Sequence, residues 1–195
     1  MKGSRSVIII IVLLVLAVLW GSGIYNRLVG KEEAVTESWA QVENVYQRRA
    51  DLIPNLVATV KGYAEFEQQT LTQVIEARAK ATGITVDPKN LDAQSFQQFQ
   101  QAQDGLSSAL SRLMVVVERY PDLKANQNFL ELQSQLEGTE NRITVERKRF
   151  NEVARDYNTT VRRFPGNLIA GLLGFSSKAY FEAAEGAEEA PVVEF

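Results

Sequence analysis

The sequence of 195 residues contains no cysteine and no histidine, and these two absences exclude most enzyme chemistries. Without cysteine there is no thiol nucleophile, no thiolate metal ligand and no disulfide. Without histidine there is no Ser-His-Asp triad, no imidazole base and no imidazole metal ligand. A two-metal carboxylate site in a helical bundle also needs histidine ligands. We therefore expect no enzyme, no metal site and no cofactor, and a fold that rests on packing alone.

Carboxylate pairs are the remaining candidates for acid–base chemistry. Glu137 and Glu140 lie close together in the sequence, as do Glu65 and Glu67. No histidine and no glycine-rich phosphate-binding loop accompanies them. Because charged helices produce such pairs by chance, we interpret these residues as solvated.

The chain also lacks a large excess of either positive or negative charge. The chain has 21 basic and 24 acidic residues, with a net charge of -3. Five of the acids lie in the tail, residues 182–195, which contains no base. A nucleic-acid-binding protein would carry a strongly basic face, so we expect no nucleic-acid partner.

One long apolar run lies near the N-terminus. Residues 7–20 have no polar side chain, and with residues 21–25 the run reaches ~19 residues, about enough to cross a bilayer. Trp20 and Tyr25 lie at one end, where aromatic rings favour the membrane interface. We predict a short tail over residues 1–6 and a transmembrane helix over residues 7–25. Its predicted membrane-spanning residues include Val7, Ile10, Leu13, Leu16 and Trp20. The alternative is a cleaved signal peptide, but AVLWGSG contains no clear cleavage site.

The orientation of this helix follows from the flanking charges. Lys2 and Arg5 precede the run, whereas Arg27 and Lys31 follow it together with two acids. The positive-inside rule then favours a cytoplasmic N-terminus and a body on the outer side of the membrane.

Beyond the apolar run, apolar residues recur at spacings of three, four and seven, which is typical of amphipathic helices. The first predicted helix includes Trp39 and Tyr63 and continues to about residue 80. The second covers residues 96–120 and the third residues 129–164. Gly83 and Pro121 mark the breaks. The pattern predicts an all-α protein, with a transmembrane helix followed by an elongated antiparallel bundle of long helices, partly in coiled-coil heptads.

Pro54 lies inside the first predicted helix. It has no N–H group, so the Ala50 carbonyl loses its helical partner and the chain is expected to kink there. The kink is either a tolerated bend or a hinge that sets curvature during assembly. Arg48, Arg49 and Asp51 lie beside this point, and an arginine near an apolar seam is expected to be paired or to extend its charged end to solvent.

The third predicted helix carries many basic residues. We interpret them as a solvated face of intrahelical ion pairs. The alternative is contact with anionic lipid headgroups or with an acidic neighbouring subunit. These basic residues are Arg142, Arg147, Lys148, Arg149, Arg155, Arg162 and Arg163.

A short apolar segment, residues 168–175, follows this helix and is too short to cross a membrane. It can pack back on the bundle, dock on a neighbouring copy, or lie at the bilayer surface. The candidate residues for assembly or membrane-surface contact are Arg162, Arg163, Phe164, Leu168, Ile169, Leu172, Leu173 and Phe175.

Three stretches closely resemble the LemA family of bacterial membrane proteins. They are EEAVTESWAQVENVYQRRADLIPNLVATVKGYA, then ERYPDLKAN, then ERKRFNEVARDYNTTVRRFPGNLIAGLLGF. The resemblance implies a membrane-attached helical domain over residues 26–181, followed by the acidic tail. With the anchor, it implies a single-pass protein of the bacterial cytoplasmic (inner) membrane.

Two functional hypotheses follow. The first is a self-associating, membrane-anchored scaffold that organises or shapes the envelope membrane. The second comes from the resemblance, since LemA-like proteins are linked with membrane quality control. It is an adaptor or sensor that binds membrane proteins such as an envelope protease. The expected partners are the lipid bilayer, further copies of the chain and other membrane proteins.

Overall fold

The computed structural model describes residues 2–63, 67–88 and 91–182, without the side chains of residues 2–6. This part of the chain forms six helices and no strand. The helices are α1 (Lys2–Lys61), α2 (Gln68–Gly83), α3 (Ala93–Val117), α4 (Pro121–Lys124), α5 (Gln127–Arg162) and α6 (Gly166–Leu173). The all-α prediction is confirmed.

Helices α1, α2, α3 and α5 form an antiparallel bundle in which α1 packs mainly on α5, and α2 mainly on α3. Trp39 of α1 lies beside Phe96 of α3 and Phe150 of α5. Further along α1, Arg49 reaches Gln103 of α3 and Glu140 of α5. Residue numbers therefore rise together along α1 and α3 and fall along α5, so the helices alternate in direction.

The core consists of two clusters, and α1 contributes to both. The cluster farther from the N-terminal apolar run is mainly aliphatic and includes Leu56, Leu106 and Leu113. The nearer cluster is aromatic, with the Trp39 ring centroid 5.2–6.1 Å from those of four phenylalanines. Such ring pairs each add about 0.5–1.5 kcal/mol beyond simple burial. This aromatic cluster comprises Trp39, Phe96, Phe99, Phe150 and Phe181.

The predicted continuation of the first long helix to residue 80 is wrong. Helix α1 ends at Lys61, and α2 then runs back antiparallel to it. The Gly62 and Tyr63 N–H groups donate to the carbonyls of Thr59 and Val60 and close the last turn. The apolar residues of α2 continue the spacing of those in α1, so periodicity could not reveal the break. The predicted breaks at Gly83 and Pro121 are confirmed, because α2 ends at the first and α4 begins at the second.

Helix α1 continues through Pro54 and is not divided there. It contains 60 residues, which corresponds to ~90 Å at 1.5 Å per residue. About 54 Å of that length lies beyond residue 25. One helix therefore runs from the N-terminal apolar segment through the whole bundle. A hinge at Pro54 stays a prediction.

Candidate membrane-contact site

The N-terminal part of α1 stands apart from the bundle. Its predicted membrane-spanning side chains are all more than half exposed. Helix α1 is the one described helix that is long and apolar enough to cross a membrane. An exposed apolar surface of this length is unfavourable in water and favourable in lipid. These side chains belong to Val7, Ile10, Leu13, Leu16 and Trp20.

Two ion pairs link the following part of α1 to the C-terminal half of the chain. Lys31 pairs with Asp156 of α5. The Glu32 carboxylate accepts a hydrogen bond of 2.8 Å from Nζ of Lys178, which is buried and lies 5.5 Å from the Tyr157 ring centroid. Because α5 runs antiparallel to α1, its C-terminal end comes to the level at which α1 leaves the apolar segment.

Helix α6 begins after this end of α5 and returns to α1. A Cβ atom at Gly166 would collide with the carbonyl oxygen of Thr160, so this close approach requires glycine. Gly174 ends α6 with a φ of 80°, in the left-handed region that favours glycine. The N–H group of Phe175 then donates to the carbonyl of Ala170 over 3.0 Å.

One face of α6 packs on α1. Ile169 faces Gly21, where an added Cβ would lie 3.9 Å from the Ile169 Cδ1 atom. The rings of Phe175 and Tyr25 meet edge to face, with centroids 5.9 Å apart. Ala170 is buried. One face of this segment therefore packs back on the bundle, which was one of the three expected placements.

The opposite face of α6 is apolar and exposed. Leu168 is 61% exposed and Leu172 is 80% exposed. Leu173 is 51% exposed and lies at the edge nearer Ile169, four residues before it. Phe164, just before the helix, is 74% exposed. Leu168 and Leu172 lie on one side because residues four apart are neighbours on a helix. Arg162 and Arg163 are exposed beside this face. Of the eight predicted contact residues, only Ile169 and Phe175 are partly buried against the protein.

The basic residues of α5 do not form the intrahelical ion pairs that we expected. None of the salt bridges in the described part of the chain joins two residues of α5. Arg147 lies 3.9 Å from Asp104 on α3, and Asp156 pairs with α1. The other six of these basic side chains are exposed and form no described salt bridge. The ion pairs that α5 does form therefore run to neighbouring helices and not along α5 itself.

The buried Arg49 joins three helices inside the bundle. It is 1% exposed, and its Nη1 atom donates to Ser107 Oγ over 2.7 Å and to Glu140 Oε2 over 2.8 Å. Its Nη2 atom donates to the main-chain oxygen of Gln103 over 3.2 Å and to the side-chain oxygen over 2.8 Å. Of the two outcomes expected for an arginine at this position, Arg49 is paired and does not extend to solvent. Glu140, considered above for acid–base chemistry, serves here as the charged partner of a buried cation.

Two tyrosines near these networks have raised pKa values. Burial raises the pKa of Tyr46 to about 12, although the positive charges of Arg147 and Arg49 partly oppose the shift. Burial, followed by the negative charge of Glu32, raises the pKa of Tyr157 above its usual range. In both tyrosines the shift favours the neutral phenol over the phenolate.

An open groove separates α3 from α5. It has a volume of about 950 Å³, and Ala179, Tyr180 and Glu182 form part of its wall. Phe181 lies in the aromatic cluster and anchors this segment, because Asn151 accepts from its N–H and donates to its carbonyl, both over 2.9 Å. The polar lining of the groove includes Gln97, Gln101, Asp104, Ser108, Glu140 and Tyr180. The remaining tail, residues 183–195, lies outside the described residues.

This architecture defines a membrane-associated helical protein with an N-terminal candidate membrane span. The chain belongs to the LemA family, whose model matches residues 38–195.

Three curated bacterial relatives are similar to the chain. Protein LemA of Metamycoplasma hominis is 25% identical over 163 residues, which cover 82% of this chain and 69% of that protein. Magnetosome protein MamQ 2 of Paramagnetospirillum magneticum is 25% identical over 177 residues, covering 81% and 64% of the two chains. Magnetosome protein MamQ of Magnetospirillum gryphiswaldense is 26% identical over 174 residues, covering 80% and 64%. The chain thus spans about 64% of the length of the MamQ relatives. None of these names denotes an enzyme.

Proposed function

We propose that the protein is a membrane-anchored helical scaffold that self-associates and thereby organises or shapes the envelope membrane. In this proposal α1 crosses the bacterial cytoplasmic membrane once, and the bundle stands on its outer side. The observation that carries the proposal is the continuity of α1 from the apolar segment to Lys61. A single helix transmits the tilt of the anchor to the bundle, so contacts between bundles and the shape of the membrane are mechanically linked.

Two exposed faces lie at matching heights. The acidic face on α1 is defined by Glu33 and Glu37, and the basic face on α5 by Arg149 and Arg155, with the exposed Glu152 between them. None of the four defining side chains forms a described salt bridge. Since Lys31 pairs with Asp156, and Trp39 lies beside Phe150, Glu33 lies near the height of Arg155 and Glu37 near that of Arg149.

Anchors in one bilayer would hold neighbouring copies parallel and at equal height. The basic face of one copy would then meet the acidic face of the next in a head-to-tail contact that can repeat. Each exposed ion pair contributes only about 0.2–1 kcal/mol, so several pairs and confinement to the membrane are needed. The contact is expected to weaken with salt.

Charge reversal tests this contact in lipid vesicles. Because the chain has no cysteine, Val115→Cys provides one labelling position for energy transfer between copies. We expect transfer to fall in the Arg149→Glu/Arg155→Glu variant and in the Glu33→Arg/Glu37→Arg variant. The variant with all four changes restores opposite charges and should recover transfer.

Arg112→Glu is the matched control, because Arg112 is exposed on α3, away from both faces. It should leave energy transfer unchanged. Recovery in the fourfold variant would show that the paired variants had not simply misfolded. The contact is contradicted if both double reversals transfer as well as the parent, or if the parent transfers no better than a monomeric reference.

The groove between α3 and α5 favours a second candidate function, an adaptor or sensor for membrane proteins. Its polar lining and its opening to solvent suit an extended segment of another protein. An envelope quality-control protease is the partner suggested by the family resemblance. A photo-cross-linker at Gln101 would test this function with such a protease in the same vesicles. A monomeric chain that forms this cross-link would favour the adaptor over the scaffold.

A further inference from the structure

We infer that α6 is an interfacial helix, a second membrane contact whose exposed face inserts into the leaflet from which the anchor emerges. The side chains that would enter the leaflet are Phe164, Leu168, Leu172 and Leu173. This inference needs only the membrane anchor and does not depend on self-association.

The first argument is depth. Ile169 lies against Gly21, and Phe175 against Tyr25, so α6 is fixed to the last residues of the predicted span. Those two positions on α1 are about 6 Å apart along the helix axis. Amphipathic interfacial helices lie about 5–10 Å into the boundary between headgroups and acyl chains. The packing of α6 on α1 therefore places it at the depth where such helices lie.

The second argument is the distribution of side chains. On the inner face of α6, Ile169 and Ala170 pack against the protein. On the outer face, Leu168 and Leu172 are exposed. With eight residues, α6 is too short to cross the bilayer, so it would lie along the surface. Arg162 and Arg163 are exposed where α5 ends, and with α6 at the interface they would lie near the lipid phosphates. Guanidinium groups bind phosphate through paired hydrogen bonds.

The third argument concerns the alternative occupant, a second copy of the chain. A stable protein interface usually buries about 800 Å² on each partner and involves some 20–30 residues. The exposed apolar patch has only four large side chains, namely Phe164 before the helix, Leu168 and Leu172 on its outer face, and Leu173 at its edge. That area is too small for a stable protein interface by itself. Lipid, in contrast, would cover this patch and the adjoining anchor as one continuous apolar surface.

Site-directed fluorescence tests the inference on the full-length protein in phosphatidylcholine vesicles that contain phosphatidylglycerol. A single cysteine replaces Leu172 and carries a small environment-sensitive fluorophore. The matched control is Val115→Cys, which is 72% exposed on α3 near the other end of the bundle. We expect the probe at position 172 to be quenched several-fold more by brominated lipid than the control probe, and several-fold less by aqueous iodide.

Two results would overturn the inference. Iodide quenching at position 172 as strong as at position 115 would place the face in water. Protection from both quenchers in the labelled protein, with disulfide formation between copies of the unlabelled variant at position 172, would place a second copy there. The phosphate contact is tested separately with Arg162→Gln/Arg163→Gln. Because both lipids carry a phosphate group, this variant should reduce lipid quenching at position 172 in anionic vesicles and in pure phosphatidylcholine, and unchanged quenching in both would contradict that contact.

Discussion

The Nε atom of Arg78 donates a hydrogen bond of 2.8 Å to the main-chain carbonyl oxygen of Ala50. This is the carbonyl that Pro54 leaves without a helical partner, because proline has no N–H group. Arg78 lies on α2, so a tertiary hydrogen bond replaces the missing helical one. The same bond joins α2 to α1 at the point where α1 lacks one of its own main-chain hydrogen bonds.

Arg78→Met is expected to lower the free energy of unfolding by about 1–3 kcal/mol, since it leaves a partly buried carbonyl unpaired. Urea unfolding of the full-length protein in mild detergent, followed by circular dichroism, measures the loss. In a Pro54→Ala background the new N–H group can pair with Ala50. The Arg78 substitution should then cost clearly less, and an equal cost in both backgrounds would contradict this explanation.

Pro54 also shows how far the sequence could predict the fold. The proline identified the carbonyl that would lose its partner, because that effect is local. It could not identify Arg78 as the replacement donor, since the donor comes close only when α2 folds back. That reversal was itself missed, because Val60, Leu71 and Val74 keep one helical spacing across the break. Gly62 was the only local signal for it.

Glu140→Ala tests the ion pair of Arg49. The substitution leaves a buried cation with only neutral acceptors, and we expect a loss of about 1–3 kcal/mol. Glu140→Gln retains an oxygen acceptor and should cost less. The Arg49→Met/Glu140→Ala double variant should lose less stability than the sum of its single variants. Strictly additive losses in urea unfolding would show that the two side chains do not interact.

The raised pKa values of Tyr46 and Tyr157 predict a loss of stability at alkaline pH. In the unfolded chain both phenols ionise near pH 10, whereas burial keeps them protonated in the folded chain. Their contribution is fully present below about pH 10 and is lost as the pH rises towards the folded pKa, about 12 for Tyr46.

The urea midpoint should therefore fall above about pH 10, and the fall should be smaller in the Tyr46→Phe/Tyr157→Phe variant. This variant also controls for the lysines, which titrate in the same range. An identical decline in the parent and the variant would show that these tyrosines do not carry the effect.

The candidate site was only partly predictable, for a related reason. The composition and length of residues 168–175 indicated a segment that could not span a membrane and left three alternatives. Its contact with Gly21 and Tyr25 depends on α5 bringing the chain back beside α1, which periodicity does not specify. Phe181 was also missed as a core residue. It follows the last helix, where no repeating pattern marks it, yet it lies in the aromatic cluster.

The most direct test of the scaffold proposal is the mass of the full-length protein in mild detergent at low salt, with negative-stain images of the same sample. We predict a uniform particle of several copies with the anchors gathered on one side. Added salt should dissociate it, because the proposed contacts are between exposed charges. A monomer or dimer at micromolar concentration and low salt would contradict the scaffold.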